Sequence, residues 1–287
     1  MWLLQLSRAT IMQRPSASCK TPYVADLFLQ DTHSPHLGSV LGHCPALGCN
    51  GLSDKGAEVF VTPMIPGKAK CQYRVDLAIH RDTPDSDPII VGINPKLAEQ
   101  VMYYYLRENI CPFVRVDSFQ REQSLLNSRF DFIGKDSNGC TFVMEIKNVP
   151  LVDAFNVCKK ERKKLNGSSS PSSCSSQEKI AYFPDGYRKH STDVVSPRAL
   201  KHIMELEQIA TTTDFRAILC FVVQRPDATR FEPSNSDLTY KEAVQRAWKN
   251  GVEIYAVQVE WTEAGQCLYK GLLPVVLFDT YGPSPKP

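Results

Sequence analysis

Ser128-Arg129-Phe130-Asp131-Phe132-Ile133 and Phe142-Val143-Met144-Glu145-Ile146-Lys147-Asn148 decide how this chain is read. Both stretches carry the alternation of a strand. Lys135-Asp136-Ser137-Asn138-Gly139 between them has turn chemistry. Together they predict a hairpin over 128–134 and 140–147. In its second strand Met144 and Ile146 share one face, and Glu145 and Lys147 the other. In its first, Phe130 and Phe132 share one face, and Arg129, Asp131 and Ile133 the other. An odd loop, Ser137-Asn138-Gly139, sets Asp131 opposite Glu145, and opposed residues of an antiparallel pair point the same way. An even loop brings Asp131 to the side of Met144 and buries a charge at a cost of several kcal/mol. The apolar pattern therefore selects the odd register.

That register places two carboxylates and an ammonium on one face. Such a pair suits a hard divalent cation, Mg²⁺ or Mn²⁺. A cation there polarises a phosphoryl oxygen, and a lysine two residues from the second acid stabilises the developing charge. Asp131, Glu145 and Lys147 are the candidate catalytic residues on this reading. The same spacing also suits a salt bridge on a half-exposed hairpin, and D-x(13)-E-x-K alone does not choose between the two.

Outward from the hairpin the pattern is α/β. Residues 71–80 and 89–94 read as strands. Pro95–Asn109 reads as a helix, with Asn94 as its N-cap and Pro95 at its first position. A second helix runs over 196–210, with Ser196 as N-cap and Pro197 first. Arg216–Gln224 is nearly continuous apolar sequence, the mark of a buried central strand. Tyr240–Asn250 is a helix stopped by Gly251, and Val252–Trp261 a further strand. Before residue 66, short strands such as 23–29 alternate with Gly and Pro, which predicts a small β-barrel of about 70 residues. The first 25 residues lack Asp and Glu and carry Arg8, Arg14 and Lys20, a composition that suits either an organelle transit segment or a first strand. Residues 158–178 open with the basic run KKERKK and continue in serine, and are read as a disordered insertion. The run suits a nucleic-acid contact, a nuclear address or a solvated loop.

Composition bounds the function. Of 287 residues 43% are hydrophobic and 22% charged, as in an ordinary globular protein. No apolar run approaches the roughly 18 residues of a spanning helix, which argues against a membrane protein. The expectation is a soluble intracellular protein, cytoplasmic, nuclear or in an organelle. A net charge of +2, from 33 basic and 31 acidic residues, excludes nucleic-acid binding by bulk charge but leaves room for a local basic groove. The ten cysteines include no CxxC pair and read as reduced core residues. His43, Cys44 and Cys49 offer three zinc ligands, with no fourth nearby.

Short segments recur in one order along nearly the whole chain. They include Leu41-Gly42-His43-Cys44-Pro45, Gly92-Ile93-Asn94, Ser128-Arg129-Phe130-Asp131-Phe132, Glu145-Ile146-Lys147-Asn148-Val149, Tyr182-Phe183-Pro184-Asp185, Lys201-His202 and Gln224-Arg225-Pro226-Asp227. In these the chain resembles the sugar fermentation stimulation protein A (SfsA) family. The resemblance implies an OB-like barrel over 1–75 and a PD-(D/E)XK nuclease-like domain over 76–287, a mixed sheet flanked by helices. It implies Asp131 and Glu145 as metal ligands, joined by the main-chain carbonyl of Ile146, and Lys147 as the catalytic lysine. Asp185 is a further metal ligand or a turn cap. Lys201 and His202 are phosphate contacts or part of a solvated helix face shared with Arg198 and Glu205. Arg129 contacts nucleic acid or pairs with Asp131, and Arg225 contacts nucleic acid or is satisfied by Asp227. The implied function is DNA binding, or RNA binding, with a metal-dependent phosphodiesterase site. The alternative is a non-catalytic DNA-binding regulator of sugar (maltose) genes. The family's Gly-Gln before Lys-His is replaced here by Ala199-Leu200. Its acid ahead of the hairpin has no clear counterpart in Val114-Arg115-Val116-Asp117.

Overall fold

β1 (Ser7–Gln13) lies between β2 (Val24–Leu29) and β4 (Glu58–Pro63), with β3 (Ser39–His43) beyond β2 and β5 (Tyr73–His80) beyond β4. Gly42↔Tyr73 and His43↔Arg74 join β3 to β5 and close these strands into a barrel. The OB-like barrel is thus present, and Ser7–Gln13 is one of its strands. The sheet continues beyond residue 75, because β5 pairs with β6 (Ile89–Gly92). This computed structural model describes residues 4–30, 39–47, 49–65, 67, 70–157, 178–186 and 193–278. All of the 158–178 insertion except Glu178 lies outside them.

A second six-stranded sheet follows the first. Its order is β15 (Cys267–Leu272), β14 (Glu253–Trp261), β12 (Arg216–Val223), β9 (Thr141–Val149), β8 (Ser128–Asp136), β7 (Val116–Leu125). β12 runs parallel to both β9 and β14, and the outer pairs are antiparallel, so the sheet is mixed. β10 (Val152–Asp153), β11 (Ile180–Phe183) and β13 (Arg230–Pro233) form a small third sheet. The polar edge strand β7 carries no alternation that marks it in the sequence.

The helices cover both faces of the second sheet. α1 (Pro95–Arg107) packs Leu97, Val101 and Met102 against Phe132, Met144, Ile146 and Val222. α2 (Pro197–Thr212) and α3 (Leu238–Lys249) pack Ile203, Leu206 and Val244 against Val143, Leu219 and Phe221 on the other side. The helix starts follow their caps. Asn94 Oδ1 accepts from Lys96 N at 3.1 Å, Ser196 Oγ from Ala199 N at 3.3 Å, and Asp237 Oδ1 from Tyr240 N at 3.0 Å. Asp237 starts α3 ahead of the expected Tyr240. Among the described residues no helix is long and apolar enough to cross a membrane.

A largely buried polar relay joins the first sheet to the second. Asn148 Nδ2 donates to the Gly92 carbonyl at 3.1 Å, Gln224 Nε2 to Asn148 Oδ1 at 2.7 Å, and Trp261 Nε1 to Gln224 Oε1 at 2.6 Å. Nearby, buried Asp76 of β5 accepts from Thr62 Oγ1 (2.6 Å), Arg74 Nε (2.7 Å) and Asn94 Nδ2 (2.6 Å). The residue that caps α1 is therefore held by a barrel strand. Position 92 has no room for a side chain: a Cβ there would lie 2.2 Å from Gln224 Oε1 and 2.9 Å from Trp261 Nε1. Gln224 cannot swing away without leaving its own buried partners unsatisfied. Gly92→Ala is expected to destabilise the chain by about 1–3 kcal/mol, read as a lowered urea midpoint. An unchanged midpoint would show that the relay does not hold the junction.

Candidate functional site

The β8–β9 ladder runs from Lys135↔Thr141 to Phe132↔Met144, which is the odd register. One step further Asp131 stands level with Glu145. There the backbone rung is replaced by a side chain, as Asp131 Oδ2 accepts from Ile146 N at 2.7 Å. The strands part at this point. Phe130 and Phe132 consequently do not share a face, contrary to the alternation. Phe132 packs under α1, while Phe130 packs under α2.

Glu145 is only 3% exposed, so a surface salt bridge is not what the hairpin carries. Its Oε1 accepts from Lys147 Nζ at 2.5 Å, and His202 Nδ1 of α2 meets the same oxygen in an ion-pair contact rather than an aligned hydrogen bond. Its Oε2 is buried and has no hydrogen-bond partner among the described residues. Burial opposes the Glu145 charge, but Lys147 and His202 outweigh it and hold the carboxyl below the usual range. Asp131 behaves in the opposite way. Burial, with Glu145's charge added, pushes its carboxyl up to about 7, against the pull of the Ile146 N–H and Lys147.

Asp131, Glu145, Ile146 and Lys147 line a cleft of about 460 Å³, together with Asp185 and Arg129. Its apolar lining includes Pro45, Ala46 and Leu47, just after the barrel strand β3, and Ile93, Leu151 and Phe183. Asp185 Oδ1 accepts from the next amide, Gly186 N, at 2.8 Å, as a turn cap does. Among the described residues no three His, Cys, Asp or Glu side chains are grouped to hold an ion. That includes His43, Cys44 and Cys49. Burial pushes both of these thiols up to about 11, which keeps them protonated core groups. The eight described cysteines are all free, and Cys158 and Cys174 lie outside the described residues.

The basic candidates divide. Arg129 is exposed and reaches Glu122 at 3.6 Å rather than Asp131. Lys201 lies outside the main cleft, in a shallow groove beside it that also includes Arg129, Arg198 and His202, and its Nζ donates to the Asn127 carbonyl. His202 and Glu205 are buried, so the expected solvated face of α2 is split: its inner half turns toward Glu145. Arg225 is withdrawn from the surface, at 3% exposure. Its guanidinium is spent on Asp227, at 2.8 and 2.6 Å. Although burial disfavours its charge, Arg225 and Lys179 hold Asp227 down to about 2.

Two acids of the cleft were not picked out from the sequence. Glu99 of α1 lines it, adds to the field on Asp131, and pairs with Arg121 at 2.5 Å. Its signal is weak: Lys96 and Glu99 form a polar stripe one turn inside a helix whose Leu97, Ala98 and Val101 face the core. Glu122 of β7 also lines it, from a left-handed backbone with φ 53° that no local sequence feature announces. Asp117, in the stretch where an acid was sought, is exposed at the start of β7.

The Asp131 shift has a consequence for stability. The folded chain holds this proton up to about pH 7, while the unfolded chain releases it near 3.8. Over that window the folded state binds the extra proton, so stability from this group falls as pH rises. Glu145 acts oppositely and lower, its contribution fading as pH falls below the ordinary 4.5. Asp131→Asn is expected to flatten the decline between about pH 4 and 7 in melting temperature measured in EDTA. A variant profile that keeps the wild-type slope would refute the assignment.

The family model described as the sugar fermentation stimulation protein RE domain matches residues 96–159 and 172–265. A sugar fermentation stimulation protein homolog of Desulforamulus reducens is 31% identical over 218 residues, which span 75% of this chain and 74% of the relative. The homolog of Shouchella clausii is 26% identical over 280 residues, covering 96% of this chain and all (100%) of the relative. Pyrococcus furiosus SfsA, solved in complex with Ca²⁺, has a similar fold, with a TM-score of 0.69 at 20% identity over 96% of this chain and 98% of that one. By its matched domain and its relatives, this chain belongs to the sugar fermentation stimulation protein (SfsA) family.

Proposed function

We propose that this chain binds nucleic acid, DNA or RNA, at the cleft and hydrolyses a phosphodiester there with a divalent cation. The observation that carries the reading is the Asp131–Glu145 pair, two carboxylates level with each other where the hairpin opens, with Lys147 beside them. The donor set suits a hard cation. Glu145 Oε2 is buried without a partner, and the pair's mutual repulsion helps push the Asp131 carboxyl up. Asp131 and Glu145 would hold the ion, with the Ile146 carbonyl and Asp185 as further donors. Two carboxylates leave coordination positions for water and phosphate, which is how Mg²⁺ and Mn²⁺ sites are commonly filled. The Ca²⁺ in the Pyrococcus furiosus SfsA structure supports the choice of a hard cation.

A bound cation supplies polarisation of a phosphoryl oxygen and a lowered pKa for its water. The chain's own residues do the rest. Lys147 brings an ammonium, 11% exposed in its side chain, to the reacting face and stabilises developing negative charge. Arg129, Arg198 and Lys201 offer cations to flanking phosphates along the shallow groove. A second reading, a non-catalytic DNA-binding regulator of sugar genes, draws support from the relatives' names as sugar fermentation stimulation protein homologs.

The test is cleavage of labelled single- and double-stranded DNA and RNA with Mg²⁺ or Mn²⁺ against EDTA. Cleavage is expected only with metal, and Glu145→Ala and Lys147→Ala should each lower it by about 100-fold or more. Binding should persist in both variants and weaken steeply between about 50 and 200 mM salt. Binding with no cleavage would leave the regulator reading. Neither would refute both.

A further inference from the structure

Glu145 presents two unequal oxygens. Oε1 meets both Lys147 Nζ and His202 Nδ1, and Oε2 is buried with no hydrogen-bond partner among the described residues. The two partners of Oε1 differ in kind. Lys147 sits on a flexible four-carbon stem. His202 is a short, stiff ring, buried, and its face is tilted against Phe130 with 5.8 Å between ring centroids. Phe130 is the residue that left the Phe132 face where the strands part. The same local fork therefore brings the Asp131 carboxylate level with Glu145 and sets Phe130 against the imidazole. With Oε1 on Lys147 and His202, Oε2 is the oxygen left without a hydrogen-bond partner among the described residues.

We propose that His202 is a positioning residue: it holds Glu145 by Oε1 so that Oε2 is presented to the divalent cation. This assignment rests on the metal reading above. It replaces a phosphate contact with a role one step behind the metal, of the kind in which a second partner orients a ligating group. Lys147 is thereby left to serve the substrate, because Glu145 keeps one anchor when the ammonium moves.

The test is Mn²⁺ binding to the full chain by titration calorimetry, with melting temperature in EDTA recorded for each variant. His202→Ala is expected to weaken Mn²⁺ binding about 10–100-fold. His202→Asn, whose amide nitrogen falls at the place of Nδ1, should restore most of the affinity. His202→Gln, whose amide nitrogen falls nearer the place of Nε2, should not. A role in packing alone would treat Asn and Gln alike, so equal Mn²⁺ affinities for these two would overturn the assignment even if the Ala variant fails to fold. Wild-type affinity in His202→Ala would overturn it as well. Glu145→Gln separates the two levels. If it loses Mn²⁺ while His202→Ala keeps it, only the His202 role falls. If the wild type binds no Mn²⁺, or Glu145→Gln binds it unchanged, the metal reading falls and takes the His202 role with it.

Discussion

The relay from the Gly92 carbonyl through Asn148 and Gln224 to Trp261 is the contact on which the rest of the molecule depends. Asn148 directly follows Lys147, so the motif strand is pinned to β6, the strand that extends the first sheet beyond the barrel, at the residue next to the candidate site. The cleft lies beside that pin, and its lining includes the motif strand, Pro45–Leu47 and residues of both neighbouring helices. Asp76 extends the coupling by holding Asn94, the cap of α1, and α1 in turn brings Glu99 to the same cleft. Three otherwise unrelated short motifs, Gly92-Ile93-Asn94, Asn148-Val149 and Gln224-Arg225, meet at this junction. Gly92, Gln224 and Trp261 are buried and Asn148 is half-buried, and each is hydrogen-bonded to the next, the condition under which a polar network specifies one arrangement.

The site itself is held under electrostatic tension. Two carboxylates stand side by side, Glu145 buried and Asp131 half-buried, and desolvation together with Glu145's charge pushes the Asp131 carboxyl up to about 7. Glu145 is kept charged by two basic neighbours on a single oxygen. A scaffold built only for stability would fill this space with apolar side chains, because desolvated charges rarely repay their burial. Under the metal reading proposed above, a cation would complete the arrangement. The packed cores on both faces of the sheet offset the cost of these few residues.

Much of this was legible in the sequence where local rules coincide with tertiary ones. The odd register followed from refusing to bury Asp131 beside Met144. The starts of α1 and α2 followed from Asn94-Pro95 and Ser196-Pro197. The parts that were not legible depend on the neighbours of a residue rather than its own period. Phe130 obeys the alternation on paper and leaves it because a carboxylate takes the place of a ladder rung. His202 sits on a helix face that looks polar and is in fact turned inward by Glu145. Arg225 looks like a free cation until Asp227 is placed against it in space. β7 went unnoticed because an edge strand has no buried face along much of its length to leave a pattern.

That edge strand has a further consequence. β7 meets solvent with Asp117, Gln120, Arg121 and Glu122, and a left-handed residue breaks its run at Glu122. At the opposite border β15 carries Lys270, an irregular register beside Val259, and Gly271 at φ 135°. Charge and backbone kinks at both borders make poor templates for a further strand. Among the described residues, these two borders of the second sheet therefore give little foothold for the strand-by-strand growth that leads to aggregates.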